Sequence, residues 1–285
     1  MKNVLLVTGT STGLGAAIAV AAASDGFVVY ATMRNLAKRG PLDAALAEAG
    51  VTAEVVALDV ETTDGVVAAI ASILDKEGRI DVLVNNAGVG FARTLEQATE
   101  ADMQWVMNVN VMGVIRTIKA VMPTMRNQRS GRVINISSVG GLVGQPFNEV
   151  YCASKFAVEG LTESMATYIT PEFGVHFTAV EPGGITSEFA AGVMRNFAQT
   201  GGMIEDAYLP ILQRYIGNAQ RRIAAHDTYQ TAEEVARVVL GIAGMENPPV
   251  RVRTSDWARD FCRFKTDTDP DGIAQRDMVV REMLG

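Results

Sequence analysis

Short apolar runs alternate with longer segments of helical periodicity over the first two thirds of the chain. The runs are rich in Val, Ile and Leu and almost continuous, as is typical of strands that are buried on both faces. The predicted strands are 4–7, 27–31, 55–58, 82–84, 133–136 and 175–180. The predicted helices are 15–24, 42–49, 64–77, 102–126 and 151–169, the last of which is expected to stop before Pro171.

This alternation predicts a parallel sheet with helices on both faces and right-handed crossovers. We therefore expect an α/β fold, a Rossmann-type doubly wound sheet of about seven strands, completed by a helix at 231–245 and a strand at 250–252. The alternation fails near residue 187, and residues 188–230 predict a helical insertion. The expected organisation is one domain over 1–255 with a C-terminal extension over 256–285, which carries an Asp-rich turn at 267–272 and a short helix.

Composition and charge narrow the classes of function. A net charge of −7 and a pI near 5.0 argue against binding to nucleic acid. No stretch approaches the ~20 apolar residues that a membrane span needs, and the first apolar run reaches Gly9 too soon for a signal peptide. Cys152 and Cys262 make no disulfide framework, which predicts a cytoplasmic protein. His176 and His226 show no ligand spacing, so we expect no metal site.

A glycine-rich turn follows the first predicted strand and opens the first helix. Backbone N–H groups of such a turn, together with the positive potential of the helix N-terminus, can bind a diphosphate. The spacing G-x-x-x-G-x-G differs from the dinucleotide fingerprint G-x-G-x-x-G, and a tight turn that binds nothing is the alternative. The candidate coenzyme contacts in this turn are Gly9, Thr10, Ser11, Gly13, Leu14 and Gly15.

Further candidate contacts follow other predicted strands, at the edge where ligands collect in open α/β sheets. Asp59 can accept a hydrogen bond from an adenine amino group; a cap for the helix near Asp64 is the weaker alternative. The segment that follows the sixth strand can frame a nicotinamide. The predicted contacts are Asp59, Val60, Asn86, Ala87, Gly88, Pro182, Gly183 and Ile185.

The second strand bears on the choice of dinucleotide. An acid near its end would hold the ribose 2′-OH of NAD, whereas an arginine accommodates the 2′-phosphate of NADP. The strand ends in Tyr30-Ala31-Thr32-Met33-Arg34-Asn35, which contains no acid. Arg34 can pair with the phosphate, helped by the hydroxyl of Thr10 or Ser11, unless it is simply a surface arginine. We predict NADP(H) ahead of NAD(H).

Tyr151, Lys155 and Ser138 form the candidate acid–base group. Tyr151 and Lys155 stand four residues apart and share one face of a helix. A phenol has a pKa near 10, and a nearby cation lowers the pKa toward the range of general catalysis. Ser138, thirteen residues before Tyr151, can bond the oxygen on which charge develops. The alternatives are an unremarkable helix pair for the first two, a plain turn residue for Ser138, and a small buried residue for Cys152.

These motifs closely resemble the short-chain dehydrogenase/reductase family over residues 4–187, with weaker likeness to residue 253. The pattern at 30–34 and the Pro-Pro strand near 250 are most similar to NADP(H)-preferring hydroxysteroid and retinol dehydrogenase-like members. The resemblance implies hydride transfer between a nicotinamide and a carbonyl carbon while Tyr151 transfers the proton. It also implies that Lys155 grips the nicotinamide ribose and that Asn110 holds a water in a proton relay, although Asn110 can instead satisfy a buried backbone group. Either Thr186 or Ser187 can serve the carboxamide.

The substrate side is less determined. Aromatic and methionine residues in 188–230 predict an apolar lid, with simple packing of extra helices as the alternative. The loop 140–148 would form the opposite wall, and an apolar, medium-sized ketone or secondary alcohol is the expected substrate. The candidate contacts are Val143, Gln145, Phe147 and Phe189. Helices 102–126 and 151–169 carry apolar residues on more than one face, which, with the resemblance, predicts a homodimer or homotetramer.

Three functions compete. The first is an NADP(H)-dependent carbonyl reductase or alcohol dehydrogenase, with an NAD(H)-dependent enzyme of the same fold as its variant. The second is a catalytically silent dinucleotide-binding regulator, which the presence of Ser138, Tyr151 and Lys155 together disfavours. The third is a sugar-nucleotide epimerase or dehydratase, which would prefer a T-G-x-x-G-x-x-G turn and a larger C-terminal substrate domain.

Overall fold

The computed structural model describes residues 2–224 and 229–284, and its centre is a parallel sheet. Seven strands pair in the order β3-β2-β1-β4-β5-β6-β9, and two short strands, β7 and β8, pair with each other. The strands are β1 (Val4–Thr8), β2 (Val28–Met33), β3 (Glu54–Ala57), β4 (Val82–Asn85), β5 (Gly131–Ile136), β6 (Val175–Glu181), β7 (Gly184–Thr186), β8 (Tyr229–Thr231) and β9 (Arg251–Arg253).

Helices cover both faces of this sheet and continue beyond it at the C-terminus. They are α1 (Gly13–Ser24), α2 (Gly40–Glu48), α3 (Thr63–Glu77), α4 (Glu100–Met107), α5 (Gly113–Gln128), α6 (Glu149–Phe173), α7 (Glu188–Gln199), α8 (Leu209–Ala224), α9 (Ala232–Gly244), α10 (Asp256–Thr266) and α11 (Ile273–Leu284). The predicted fold class, a Rossmann-type doubly wound sheet of seven parallel strands, is confirmed.

Strand β1 shows why its sequence is apolar from Val4 to Val7. Val4 and Leu6 belong to a buried cluster that includes residues of α3, α5 and α6. Leu5 and Val7 belong to a second cluster, with residues of α1, α2 and α9. Because successive side chains of a strand point to opposite faces, a strand buried on both sides must be apolar throughout.

The strand order places a binding crevice at one point of the sheet. Strand β1 pairs with β2 on one side and with β4 on the other. The connections that follow β1 and β4 therefore run in opposite directions along the sheet. Ligands of open α/β sheets bind at such a reversal, outside the carboxyl ends of the strands. The segments after β1 and β4 therefore lie where the sequence analysis expected the coenzyme.

Two helices differ from the prediction. The stretch predicted as one helix at 102–126 contains a π-helical turn, Asn108–Met112, between α4 and α5. Helix α6 continues through Pro171 and ends at Gly174, whose φ of 65° is left-handed. Proline in the last turn removes only one intrahelical hydrogen bond, so the glycine, and not the proline, ends the helix.

The small sheet of β7 and β8 was not predicted. Its strands are three residues long, too short to show a period, and they are separated by the segment that contains α7 and α8. Within the described residues, no helix is both long and apolar enough to cross a membrane.

Candidate active site

The glycine turn after β1 packs directly on the segment that follows β4. Gly9 has a φ of 72°, and a β-carbon there would stand 2.8 Å from the Cα of Ala87. A β-carbon at Gly15 would overlap the Gly9 carbonyl oxygen and stand 2.5 Å from Nδ2 of Asn86. Glycine at these positions therefore brings two backbone segments closer than any side chain would allow.

Asn86 fastens the two segments together. Its Nδ2 donates to the carbonyl oxygens of Thr8, at 2.9 Å, and Gly9, at 3.0 Å. The Thr8 hydroxyl oxygen accepts from the backbone N–H groups of Asn86 and Ala87. The Nδ2 group of Asn86 thus shapes the turn, and the predicted contact of this residue with the coenzyme stays a prediction.

The first turn of α1 suits a phosphate group. Thr12 precedes the helix without a side-chain capping bond, and the first turn carries no acid, so its N–H groups and the positive helix end can face an anion. Thr10 is fully buried, and both its N–H and its hydroxyl donate to the Thr32 carbonyl. Of the two hydroxyls predicted to assist Arg34, therefore, only that of Ser11 fits. Leu14 packs in the core and offers only its backbone.

Arg34 lies at the end of β2, as predicted, but an acid stands beside it. Its Nη1 is 2.8 Å from Oε1 of Glu61, and the side chains are 68% and 24% exposed. Sequence reasoning missed Glu61 because it searched for an acid after β2, whereas this one follows β3. The end of β2 itself contains no acid, as the sequence shows, but pairing of β2 with β3 brings Glu61 to this point.

Asp59 and Val60 hold the turn between β3 and α3. Oδ1 of Asp59 accepts from the N–H of Glu61 at 3.0 Å, and its backbone carbonyl accepts from Thr62. This local role resembles the capping alternative more than the sequence analysis expected. Val60 packs against Gly113, where a β-carbon would lie 3.0 Å from its own. Their contacts with an adenine stay predictions.

Ser138 and Tyr151 meet at the end of β5. Ser138 is 9% exposed, and its oxygen accepts from the N–H of Gly140 at 3.0 Å. Burial raises the pKa of Tyr151 to about 12, and a hydrogen bond with Ser138 offsets this only in part. The predicted pair is therefore assembled, with the phenol held in its protonated form.

Lys155 comes to the same place from the next turn of α6. Its Nζ lies 5.8 Å from the centroid of the Tyr151 ring and donates to the Ile136 carbonyl at 2.8 Å. Burial lowers the pKa of Lys155 to about 8, although the Glu159 carboxylate acts in the opposite direction. Burial of the phenol dominates its pKa in this arrangement, and the predicted lowering by Lys155 stays a prediction.

Asn110 lies in the π-helical turn, a feature that often marks functional positions. Its Oδ1 accepts from the N–H of Val89 at 2.8 Å, while Nδ2 donates to the Val89 carbonyl and to the hydroxyl of Ser154. The alternative that Asn110 satisfies buried backbone groups is therefore correct for its side chain. A water relay at this position would use its backbone.

A buried polar chain beneath these residues was not anticipated. The Thr117 hydroxyl donates to Oδ1 of Asn85 at 2.6 Å, and Nδ2 of Asn85 donates to Oδ1 of Asn135 at 2.9 Å. Nδ2 of Asn135 then donates to the hydroxyl of Thr162 at 2.9 Å. These hydrogen bonds link α5, β4, β5 and α6, and so position the helix that carries Tyr151. Asparagine within otherwise apolar strands was the signal in the sequence.

The segment that follows β6 is held in place by an ion pair and a backbone hydrogen bond. The buried carboxylate of Glu181 pairs with Arg253 of β9 at 3.1 Å, and burial raises the pKa of Glu181 to about 7 against the effect of that arginine. The Pro182 carbonyl accepts from the N–H of Val139 at 3.0 Å. Gly183 follows, and Ile185 packs against the sheet.

The two hydroxyls that were left open for the carboxamide are separated by the structure. A β-carbon at Gly13 would stand 3.3 Å from the β-carbon of Ser187, which places Ser187 against the glycine turn. Thr186 lies in β7 and is exposed. Ser187 is thus the one that lies beside the predicted coenzyme position.

Gln145 and Phe189 reach the candidate catalytic residues. A β-carbon at Gly140 would stand 3.3 Å from Nε2 of Gln145, 3.4 Å from Oγ of Ser138 and 3.4 Å from Cε1 of Tyr151. Glycine at this position leaves a small space that all three side chains border. The ring of Phe189 lies 6.1 Å from that of Tyr151, centroid to centroid. These two candidate substrate contacts are brought together as expected.

The other two candidates point elsewhere. Phe147 is 4% exposed and packs with Phe197 and Leu212, beneath α7 and α8. Val143 packs in the cluster that contains Ala258 and Cys262 of α10. Both side chains pack against helices, and their contact with substrate stays a prediction.

No metal centre is found in the part of the chain that the structure describes. No group of three or more His, Cys, Asp or Glu side chains could hold a metal ion there. His226 and Asp227 lie outside the described residues. Asp269, in the Asp-rich turn, accepts from the N–H groups of Ala274 and Gln275 and caps α11. Cys152 is buried, and burial raises the pKa of its thiol.

Comparison with known proteins defines the class. The short chain dehydrogenase family matches residues 3–196, so the chain belongs to this family of oxidoreductases, as its motifs predicted. Members of the family bind NAD(H) or NADP(H).

Two curated relatives and one solved structure extend this likeness over the whole chain. Human 17-beta-hydroxysteroid dehydrogenase type 1 is 38% identical over 290 residues, which cover 100% of this chain and 87% of the relative. Retinol dehydrogenase 8 of Bos taurus is 38% identical over 281 residues, with 94% and 86% covered. A short-chain dehydrogenase from Streptomyces avermitilis superposes with a TM-score of 0.78 at 29% identity and 99% coverage of both chains.

Proposed function

We propose that this protein is an NADP(H)-dependent oxidoreductase that interconverts a ketone or aldehyde and an alcohol. The observation that carries the proposal is the meeting of Ser138, Tyr151 and Lys155 at the same sheet edge as the glycine turn. A silent regulator has no use for a half-buried tyrosine that is hydrogen-bonded to a serine beside a buried lysine.

The tight glycine backbone and the open first turn of α1 fit a dinucleotide diphosphate, and a β-carbon at Gly15 would force this turn to move. When bound, the coenzyme supplies or accepts the hydride. In reduction, the hydroxyls of Ser138 and Tyr151 hydrogen-bond the carbonyl oxygen, and Tyr151 gives it a proton as the carbon is reduced. In oxidation, Tyr151 first releases its proton toward solvent, and the resulting phenolate takes the alcohol proton. Lys155 holds the nicotinamide ribose and places a positive charge beside the phenol.

Asn110 contributes by position. Its side-chain bonds to Val89 and Ser154 hold α6 against the segment after β4. In this proposal its backbone carbonyl, in the π-helical turn, is the acceptor for a water that returns the proton to Tyr151 through Lys155.

The substrate that we propose is an apolar, medium-sized ketone or secondary alcohol. Phe189 supplies an apolar surface over Tyr151, and the amide of Gln145 supplies a polar group beside the reacting oxygen. The printed names of the two relatives, a hydroxysteroid and a retinol dehydrogenase, support an apolar alcohol. In this role the segment of α7 and α8 is a lid.

Oligomerisation is part of the proposal. Met112, Phe156 and Tyr168 are 43%, 43% and 47% exposed on the stretch from the π-helical turn through α6. Their exposure supports a homodimer or homotetramer, for which light scattering is the direct measurement. Cytoplasmic location and lack of affinity for nucleic acid stay predictions.

Tyr151→Phe tests the function. The variant keeps the ring but cannot transfer a proton, so turnover is expected to fall by at least about 100-fold. NADPH affinity, measured by fluorescence titration, should change little. The assay follows NADPH absorbance with a panel of ketones, aldehydes and alcohols. Full activity of the variant on any substrate of the wild type would refute the role of Tyr151.

A further inference from the structure

A buried arginine in the loop after β4 is joined to the lid. Arg93 is 2% exposed. Its Nη1 donates to the Gly202 carbonyl at 2.6 Å, and its Nη2 donates to the Phe197 carbonyl at 2.9 Å and the Thr200 hydroxyl at 3.1 Å. The guanidinium also lies 4.3 Å from the centroid of the Phe197 ring. All these contacts are with the C-terminal end of α7 and the residues just beyond it.

The physical reason for this arrangement is the negative end of the helix. The last carbonyls of a helix lack intrahelical partners and carry partial negative charge, which a cation stabilises. Burial lowers the pKa of Arg93, and the charge of Asp102 acts on this pKa in the opposite direction. Among the described residues, no carboxylate is hydrogen-bonded to this buried guanidinium, so it depends on these acceptors. If α7 separated from Arg93, the guanidinium and the last carbonyls of the helix would both lose their hydrogen-bond partners.

The same loop reaches the catalytic residues and the glycine turn. Asn86 bonds the turn after β1, and a β-carbon at Gly88 would stand 3.7 Å from Nζ of Lys155. A β-carbon at Gly90 would overlap Val193 and lie 3.0 Å from the Phe189 ring. One short loop therefore contacts the proposed coenzyme position at its beginning and both ends of α7 further along.

We propose that Arg93 is a positioning residue that couples this loop to the lid, so that coenzyme bound against the loop also fixes α7 over Tyr151. The coenzyme part rests on the proposed function; the attachment of α7 rests on the contacts of Arg93. Substrate then meets a lid whose Phe189 is already in place. Arg93 touches neither substrate nor coenzyme and acts through α7.

Hydrogen–deuterium exchange of residues 188–203 tests the coupling, with and without NADPH. In Arg93→Met, exchange of the α7 amides should be about tenfold faster or more, because charge-assisted hydrogen bonds are lost. NADPH should slow this exchange in the wild type and have little effect in the variant. Equal exchange in both proteins, or equal slowing by NADPH, would overturn the proposal.

Two further variants separate positioning from general damage. Arg93→Lys keeps the charge but not the planar fork, so it should restore part of the protection, and it serves if the methionine variant does not fold. Arg195→Met is the matched control, because Arg195 lies on α7 with its side chain 65% exposed and has only a weak surface pair with Glu188. The control should behave as the wild type.

Steady-state kinetics provide the functional readout. Arg93→Met should raise the KM for the carbonyl substrate by about tenfold while the NADPH dissociation constant stays within about threefold. Parallel losses in both would indicate general damage and overturn the positioning role. If the wild type bound neither NADPH nor NADH, the proposed function itself would fail. Bound coenzyme that leaves exchange in α7 unchanged would refute the role of Arg93 alone.

Discussion

The two sides of the carboxyl edge of the sheet are built differently. On the side proposed for the coenzyme, backbone segments lie directly against each other: a β-carbon at Gly9 would stand 2.8 Å from the Cα of Ala87, and the N–H of Thr10 donates to the Thr32 carbonyl at 3.0 Å. On the substrate side, α7 and α8 are attached through side chains, chiefly Arg93 and the aromatic cluster around Phe147.

The difference assigns separate tasks to the two sides. Backbone contacts at strand ends leave little freedom, so the coenzyme position is set by the fold itself. Side-chain contacts on helices outside the sheet can be exchanged without moving a strand, so substrate preference can change on a constant scaffold. The lid also exposes apolar side chains, with Phe189, Met194 and Met203 at 45%, 59% and 52%.

The largest effect of a substitution is expected at Gly15, where the backbone segments on the proposed coenzyme side pack most closely. Gly15→Ala would put a methyl group against the Gly9 carbonyl and Asn86, both of which are held in place. The turn must then move, and we expect coenzyme affinity to fall by at least about 100-fold, with about 1–3 kcal/mol lost from the free energy of unfolding. Calorimetric titration and denaturant unfolding measure the two.

Gly241→Ala is the control for this change. Gly241 lies in α9, and a β-carbon there would meet nothing within 4 Å. Alanine should raise the free energy of unfolding by up to about 1 kcal/mol and leave coenzyme affinity unchanged. Normal coenzyme binding by Gly15→Ala would contradict the view that backbone contact shapes this side.

Lys155 lies where the two sides meet, and its charge predicts a pH dependence. With a pKa lowered to about 8, Lys155 is a cation below that pH and neutral above it, whereas Tyr151 stays protonated up to about 12. For carbonyl reduction, kcat/KM should be constant below about pH 8 and fall about tenfold per unit above it. Lys155→Arg, although slower, should show no such fall up to pH 10. A wild-type rate that rises between pH 8 and 10 would contradict this assignment.

The same contrast explains what could be predicted from the sequence. Strands buried on both faces can be predicted from their continuous apolar runs. The glycine turn, Ser138, Tyr151 and Lys155 can be predicted because they stand at fixed places in the sequence relative to those strands. Glu61 was missed because its proximity to Arg34 arises from pairing of β2 with β3, and no spacing along the chain reveals it. The packing of Phe147 against Phe197 and Leu212 was not predicted, because an aromatic residue in a loop looks the same in the sequence whether it faces substrate or packs against a helix.

The pair of Arg34 and Glu61 gives the last prediction, on a part of the coenzyme side where side chains decide. Arg34 can bind the 2′-phosphate of NADP, while Glu61 can accept a hydrogen bond from the 2′-hydroxyl of NAD. This one ion pair therefore holds a group suited to each coenzyme. Arg34→Asp should lower the ratio of kcat/KM for NADPH over NADH by about tenfold or more, since it leaves two acids facing a phosphate.

Glu61→Gln should move the same ratio in the opposite direction, because Arg34 loses its competing carboxylate while the shape of the site is preserved. The effect should be smaller, about two- to fivefold, since the pair is exposed and the attraction is screened by solvent. Salt titration supplies an independent check, as both shifts should shrink at high ionic strength. If both variants keep the wild-type ratio, Arg34 makes no phosphate contact, and backbone positions must select the coenzyme on this side as well.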